Sequence, residues 1–466
     1  MVDLKVATLD GVESFLSEST VSEFKTKMRG RVLQPGDDGY EQARMVWNGN
    51  IDRRPSLIAQ CTGVADVIES VNFARNNNLL VALRGGAHSA AGHGTCNGGI
   101  VIDLSHMKGI RVDVENRIAI AQPGVLWGEL DRETQAFGLA TTGGVISNTG
   151  VAGLTLGGGL GWTMGKHGLS VDNLLSVDVV TANGQFLKAS ESQNADLFWG
   201  LRGGGGNFGI VTSFEYQLHP IGPIILGGLV IHPLDKAKEV LRFYRDFAAG
   251  LPDEAEAHCG LLTSPEGIPV IAMILGYNGP IEEGEKVFEP ARKFGEPVAD
   301  LVQPMPYVAR QSMLDEGLAM HGIQRYWKSG FTTQISDELI DVAVDGASNF
   351  SSPMSSILFF RVHGAVARVP ADKMAFGLRQ EQWDFNVLGQ WADPAESRSH
   401  TAWVRELWGR MEPLISDSAY VNHIAGDDRP EKIRASFGEN YDKLVALKKK
   451  YDPTNLFRLN PNIKPS

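Results

Sequence analysis

Three glycine-rich loops lie within residues 84–209, each beside a run of apolar residues that reads as a strand. They are Arg84-Gly85-Gly86-Ala87-His88-Ser89, the segment from Gly150 to Gly161, and the segment from Arg202 to Gly209. Apolar residues sit between the glycines, so these are not flexible linkers. They read as backbone that turns tightly or lies against a ligand. The first follows a buried-strand candidate, Leu79–Leu83. Consecutive glycines there can turn backbone N–H groups inward around an anion. Arg84 adds a bidentate phosphate donor, and His88 brings an imidazole to whatever the loop binds. In the second loop, Gly150, Gly153, Gly157, Gly158 and Gly161 suggest backbone against a flat or phosphorylated ligand. In the third, Gly209 leads into Ile210-Val211, the start of another strand. An ordinary turn explains any one loop; three together predict a cofactor site.

Several familiar readings fail on spacing. No G-x-G-x-x-G opens a helix in the second loop. Gly165-Lys166 lacks the earlier glycine and the following Ser or Thr of a P-loop. No G-x-S-x-G nucleophile motif is present. His88, His93 and Cys96 form H-x4-H-x2-C, but no second pair of ligands lies nearby, so no metal is expected.

Around these loops the chain alternates strand and helix. Ser56–Cys61 reads as a strand. Val64, Val67, Ile68 and Val71 follow at helical spacing, and that helix ends near Asn76-Asn77-Asn78. Ile100–Leu104 is a further strand, Glu115-Asn116 a hairpin turn, Val125–Phe137 a helix, and Val177–Thr181 and Ile210–Leu218 two more strands. Residues 1–55 read as mixed helix and loop. His219-Pro220-Ile221-Gly222-Pro223 marks a domain boundary. From 224 to 420 glycine clusters vanish, and the pattern predicts an antiparallel sheet covered by helices. The final segment is helical, then extended.

With 466 residues, 43% of them hydrophobic, the chain can bury large cores in two or three domains. A net charge of −12 argues against nucleic acid as a partner. Three cysteines, no leader-like N-terminus and no long apolar run predict a cytoplasmic protein without a membrane span.

The loops, together with Gly168-Leu169-Ser170-Val171-Asp172-Asn173 and Asp196-Leu197-Phe198-Trp199, occur in an order that resembles berberine-bridge-enzyme-like flavoproteins. The tail resembles that family's C-terminal signature: Asn440-Tyr441, Lys448, Tyr451-Asp452-Pro453, Asn455, Phe457-Arg458 and Asn460-Pro461-Asn462-Ile463. The resemblance covers nearly the whole chain and is strongest to the bacterial branch. It implies an α+β protein of the vanillyl-alcohol-oxidase (PCMH) type. The FAD domain would comprise residues 1–218, with a core of about 53–218 in two α/β subdomains, and would be rejoined by residues 421–466. Residues 219–420 would form the substrate domain.

The same resemblance implies FAD bonded through its 8α-methyl to His88. Many members attach the flavin again through a Cys four residues before the G-V-x-G run. Ile146 stands there, so one bond is expected. Thr149 occupies the position of a residue that governs oxygen access to the flavin. In the bacterial branch a Thr there accompanies oxygen-reactive flavin, which favours an oxidase, or even an oxygenase at flavin N5, over a dehydrogenase. Members often carry a Glu base on a substrate-domain strand shortly before a Trp. Counting back from Trp391 gives Asn386, which cannot take a proton. Asp384 and Gln390 share its face. His363, Tyr420 and Tyr441 are further catalytic candidates, and Asn422, Asn460 and Asn462 could reach the flavin. Arg325, Trp327 and Lys328 either line the pocket and prefer an aromatic or anionic substrate, or belong to a plain strand with solvated charges. The expected reaction takes a hydride from a C–H next to O or N of a small molecule and gives the electrons to O2. A non-turning scaffold, an NADPH-dependent reductase and a homodimer remain open.

Overall fold

A computed structural model describes residues 3–465. Three sheets organise it. The first has the order Val32–Leu33, Leu57–Gln60, Ile100–Asp103, Val81–Arg84; its last three strands are parallel and its first is antiparallel to its neighbour. The helix Val64–Asn76 makes the crossover between Leu57–Gln60 and Val81–Arg84. Val67, Val71 and Ala74 pack on the sheet, as their spacing requires. Asn78 closes the turn in the left-handed region, φ 51°.

The second sheet is antiparallel and five-stranded, in the order Phe186–Ser190, Leu174–Val180, Ile210–Gln217, Ile118–Ala121, Ile110–Asp113. The third is an eight-stranded antiparallel sheet whose strands lie between Ile224 and Trp391. Helices Ala237–Ala249, Asp337–Ser348 and Ser397–Met411 cover one face, burying Leu241, Tyr244, Ile340 and Leu407 in a single core. The chain is thus α+β, with two smaller sheets on one side and a helix-backed sheet on the other.

Residues 419–463 return to the five-stranded sheet. Ala419, Val421, Phe437, Leu444 and Ile463 share its core with Val177, Phe198 and Phe214. Lys448 is fully buried and donates to Asp452 (2.7 Å), to the Asn207 carbonyl (2.8 Å) and to the Phe457 carbonyl (2.9 Å). The third glycine loop is therefore bound to the tail, and Asn207 Oδ1 accepts from Ile463 N–H at 3.0 Å.

Two local expectations change. The first residues include a hairpin, Leu4–Ala7 with Glu13–Leu16, whose two short strands carry too few apolar residues to show a period. The second glycine loop is partly helical, Val151–Leu156, starting at Gly150. At the boundary expected at 219–223, His219-Pro220 pairs with Leu139-Ala140, and the chain then enters the large sheet at Ile224.

Candidate active site

One elongated cavity runs between the two smaller sheets and the large one. The three glycine loops and the turn Leu459–Pro461 form one end and flank. Trp327, Leu358, Phe360 and Asp384 of the large sheet form the opposite end, with Tyr420–His423 closing the side.

Bare main chain makes the first part. A Cβ on Gly86 would meet the backbone of Gly150 at 2.5 Å, and one on Gly150 would meet Gly86 at the same distance. The first two loops touch because neither carries a side chain there. Ala87 is held at φ 56°, and its carbonyl accepts from Trp47 N–H at 3.0 Å. That conformation costs an L-residue roughly 1–2 kcal/mol, and it comes immediately before His88, which faces the cavity. Among the described residues, no backbone N–H from Gly85 to Ala90 donates a hydrogen bond. Asn460 faces the cavity with its Oδ1 unpartnered. Unmatched donors and a side-chain-free cradle fit a phosphate-bearing, flat cofactor such as FAD.

His88 is stacked on Trp47, ring centroids 4.2 Å apart and 20° between planes. Its Nε2 lies 3.1 Å from Asn148 Oδ1. Burial, reinforced by Arg325 and His321, holds its imidazole down at about 3, so it is neutral across the physiological range. Ile146 and Thr149 both face the cavity. No cysteine lies on the cavity wall. Cys96 is buried nearby, its thiol raised to about 12 by burial, and His93 is held at about 4 by burial. The described residues contain no group of ligands that could hold a metal ion.

At the other end Asp384 is fully buried on the strand Gln382–Trp391. Its Oδ2 accepts from Asn386 Nδ2 at 2.9 Å and lies 3.0 Å from His423 Nδ1, off the line of a straight hydrogen bond. Its Oδ1 has no partner. Trp327 Nε1 donates to Asn386 Oδ1 at 2.8 Å, and the Trp327 ring stacks on His423 at 4.4 Å. A carboxylate, an imidazole and the Trp327 face thus meet at one point, with Tyr420 edge-on to His423 at 4.8 Å.

Other predicted residues stand elsewhere. Arg84 donates to the Ala43 carbonyl and does not reach the cavity, because the strand turns its side chain away from Gly85. Gly157 and Gly158 lie behind the wall: a Cβ would meet the Asn422 amide at 2.3 Å and the Phe376 ring at 2.7 Å, so their role is close packing. Asn386 is one step behind the wall and acts through its amide on Asp384. His363 belongs to a separate buried group, 3.7 Å from Glu256. Tyr441 begins the helix Tyr441–Tyr451 beneath Arg434, away from the cavity. Asn462 also lies off the wall.

Tyr420 and Asn422 do face the cavity, but their polar atoms brace the second loop. The Tyr420 hydroxyl accepts from Gly159 N–H at 2.9 Å and from Asn422 Nδ2 at 2.7 Å, while Asn422 Nδ2 also reaches the Leu154 carbonyl at 3.0 Å. Burial pushes the Tyr420 phenol up to about 12, which unsuits it as a base. Arg325 packs its guanidinium over Trp47 at 3.7 Å and donates to Gln390 Oε1 at 2.8 Å and to backbone carbonyls. Lys328 pairs with Asp427 (2.8 Å) and Asp428 (2.7 Å). Of that strand only Trp327 lines the cavity. Gln390 is likewise structural. Gly153, Gly161, Gly209, Ile210, Val211 and Ser89 all line the cavity.

Sequence reasoning missed Trp47, Asn148 and His423. For His423 a signal existed: it directly follows Tyr420-Val421-Asn422, already placed near the flavin.

Comparison with known proteins agrees with this geometry. Residues 55–190 match the FAD binding domain family, and residues 419–464 match the berberine and berberine-like family. An FAD-linked oxidoreductase of Dictyostelium discoideum is 31% identical, covering 96% of this chain and 97% of its own. The crystal structure of 6-hydroxy-D-nicotine oxidase from Arthrobacter nicotinovorans superposes with a TM-score of 0.86 at 28% identity, covering 94% of this chain and 98% of that one. Glucooligosaccharide oxidase from Acremonium strictum, described with a 6-S-cysteinyl, 8α-N1-histidyl FAD, shares the fold with a TM-score of 0.86 at 23% identity, over 96% of this chain and 99% of that one. Two walls of opposite construction around one cavity, and relatives aligned over almost their entire length, lead to one conclusion: this chain belongs to the berberine-bridge-enzyme-like family of FAD-linked oxidoreductases.

Proposed function

We propose that this oxidoreductase is an oxidase acting on a small organic molecule with a C–H next to O or N, with its flavin bonded once, through His88. The observation that carries the reading is that a neutral, stacked imidazole and a buried carboxyl group with one unpartnered oxygen face opposite ends of one cavity. A bound flavin would accept the hydride and pass the electrons to O2, giving H2O2.

The chain's own groups would do the rest. The amides of Gly85–Ala90 would orient the cofactor phosphates. Asp384, aided by His423, would take the substrate proton as the C–H breaks. Trp327 and Asn386 hold that pair in place. Ile146, an aliphatic residue on the wall, leaves no thiol for a second bond. Thr149 supports oxygen as the acceptor, by its likeness to oxygen-reactive members. We further infer that residues 1–218 with 421–466 act as the cofactor unit and 219–420 as the substrate unit.

Mass spectrometry of the denatured protein should find one FAD on the His88 peptide and none on the Ile146 peptide. A panel of alcohols, sugars, phenols and amines, read by peroxide release, should find a substrate. Flavin that bleaches with substrate but reoxidises slowly in air would instead indicate a dehydrogenase. Colourless protein after acid precipitation would remove the covalent bond from the account.

A further inference from the structure

The amide of Asn148 sits between His88 and the backbone. Its Nδ2 donates to the Ala319 carbonyl at 2.6 Å. A carbonyl can only accept, so the nitrogen end of this amide must face Ala319 and the oxygen end must face His88. Oδ1 in turn can only accept, and it lies 3.1 Å from His88 Nε2. The single proton of a neutral imidazole must therefore sit on Nε2, which leaves the lone pair on Nδ1. Among the described residues, Asn148 on Nε2 is the hydrogen-bond partner that another residue offers this ring, and none is offered to Nδ1.

The support around this pair is built from both halves of the molecule. The loop before Asn148 is anchored by Ser147, whose N–H and hydroxyl both donate to Asp315. Trp47, under the imidazole, donates from Nε1 to the Leu318 carbonyl at 2.8 Å. Arg325 covers the Trp47 ring and donates to the Met320 carbonyl at 2.7 Å. The segment 315–320 thus fixes both the plane of the ring and the direction of the amide.

We propose that Asn148 is the positioning residue for flavin attachment, holding His88 as the tautomer whose Nδ1 is free to form the bond. This rests on the reading that His88 carries the flavin. In the attachment, a bond forms between Nδ1 and the flavin 8α carbon, and that carbon loses a proton. The imidazole gives up its own proton. The two electrons released go to O2, which leaves as H2O2. Burial keeps the ring from being protonated and so keeps that lone pair available. An imidazole with its proton on Nδ1 would present an N–H to the cofactor in place of a nucleophile.

The test compares the purified holoenzyme with N148L, N148D and H88A, measuring bound FAD before and after acid precipitation. N148L is isosteric and cannot accept a proton; its covalent fraction should fall at least tenfold while FAD remains bound without a bond. N148D restores an acceptor toward Nε2 and should recover at least half of the wild-type fraction. Equal covalent loading in N148L and wild type would overturn the role. So would equal failure of N148L and N148D with FAD bound in both, which would indicate packing alone. A measurement on the wild-type protein covers the case in which a variant does not fold: NMR of its flavinyl peptide should show the link at Nδ1, and a link at Nε2 overturns the proposal. If H88A keeps covalent flavin, or wild type has none, the attachment reading fails and this inference falls with it. If His88 is loaded and only N148L is indifferent, this inference alone is wrong.

Discussion

The two ends of the cavity are made of different material. The end proposed to hold the flavin is main chain: Gly86 against Gly150, and a row of N–H groups from Gly85 to Ala90 without partners among the described residues. The far end is side chain: Asp384, Asn386, Trp327 and His423, from two strands and a turn. Backbone recognition suits a cofactor common to a whole family, because every residue supplies the same amide. Side-chain recognition suits a substrate that differs between members, because single replacements remake it.

The largest test of this contrast is Gly86→Val. A branched side chain would enter the Gly150 backbone, which has no flexible end to move. Destabilisation of more than about 4 kcal/mol is expected, read as loss of folded, yellow protein. A G86V protein that folds and binds FAD would break the claim that close main-chain contact builds this end.

Asp384→Asn should leave the yellow colour and the covalent bond intact while lowering kcat by about 10²–10⁴-fold. Loss of flavin together with activity would show that the two ends are not separable.

Acid should act unevenly. Burial holds His93 at about 4 and His167 at about 3, both below the ordinary 6.5. The unfolded chain binds protons that the folded one refuses, so their contribution is complete above pH 6.5 and is lost as pH falls toward 4. Each can cost up to about 1.4 kcal/mol per pH unit in that window. Denaturant midpoints measured between pH 7.5 and 4.5 should decline, and H93Q should decline less steeply.

The smallest effect is expected from Trp327→Phe, which keeps the aromatic face and removes one hydrogen bond to Asn386. About 1 kcal/mol, or roughly a fivefold fall in kcat/KM, follows.

The same contrast explains what was legible before any coordinates. The parallel strand–helix–strand unit, the glycine cradle and His88 stand out in the sequence, since close backbone approach demands glycine and a local order of elements. The helix-backed sheet was legible as a class from its change of texture. Its site was not. Asp384 and His423 are 39 positions apart (423 − 384), and nothing in either neighbourhood requires the other. Asn386 drew attention by its distance from Trp391, but the group facing the cavity is two residues earlier. Arg84 misled because a charged residue beside a binding loop reads as a ligand contact, whereas it satisfies the Ala43 carbonyl; for Lys328, left open between pocket and plain strand, the carboxylates of Asp427 and Asp428 favour the strand. Gly157 and Gly158 show the converse, glycines required by neighbours on the protein side.

Because Lys448 ties the third glycine loop to Asp452 and Phe457, and Ile463 pins Asn207, the cavity wall is unfinished until residues 419–463 have docked. A chain ending before residue 419 would own every strand of the three sheets and still have an open flank where Tyr420–His423 and Leu459–Pro461 belong. Cofactor loading would therefore follow the folding of residues 419–463, and a chain lacking that segment is expected to be isolated without FAD.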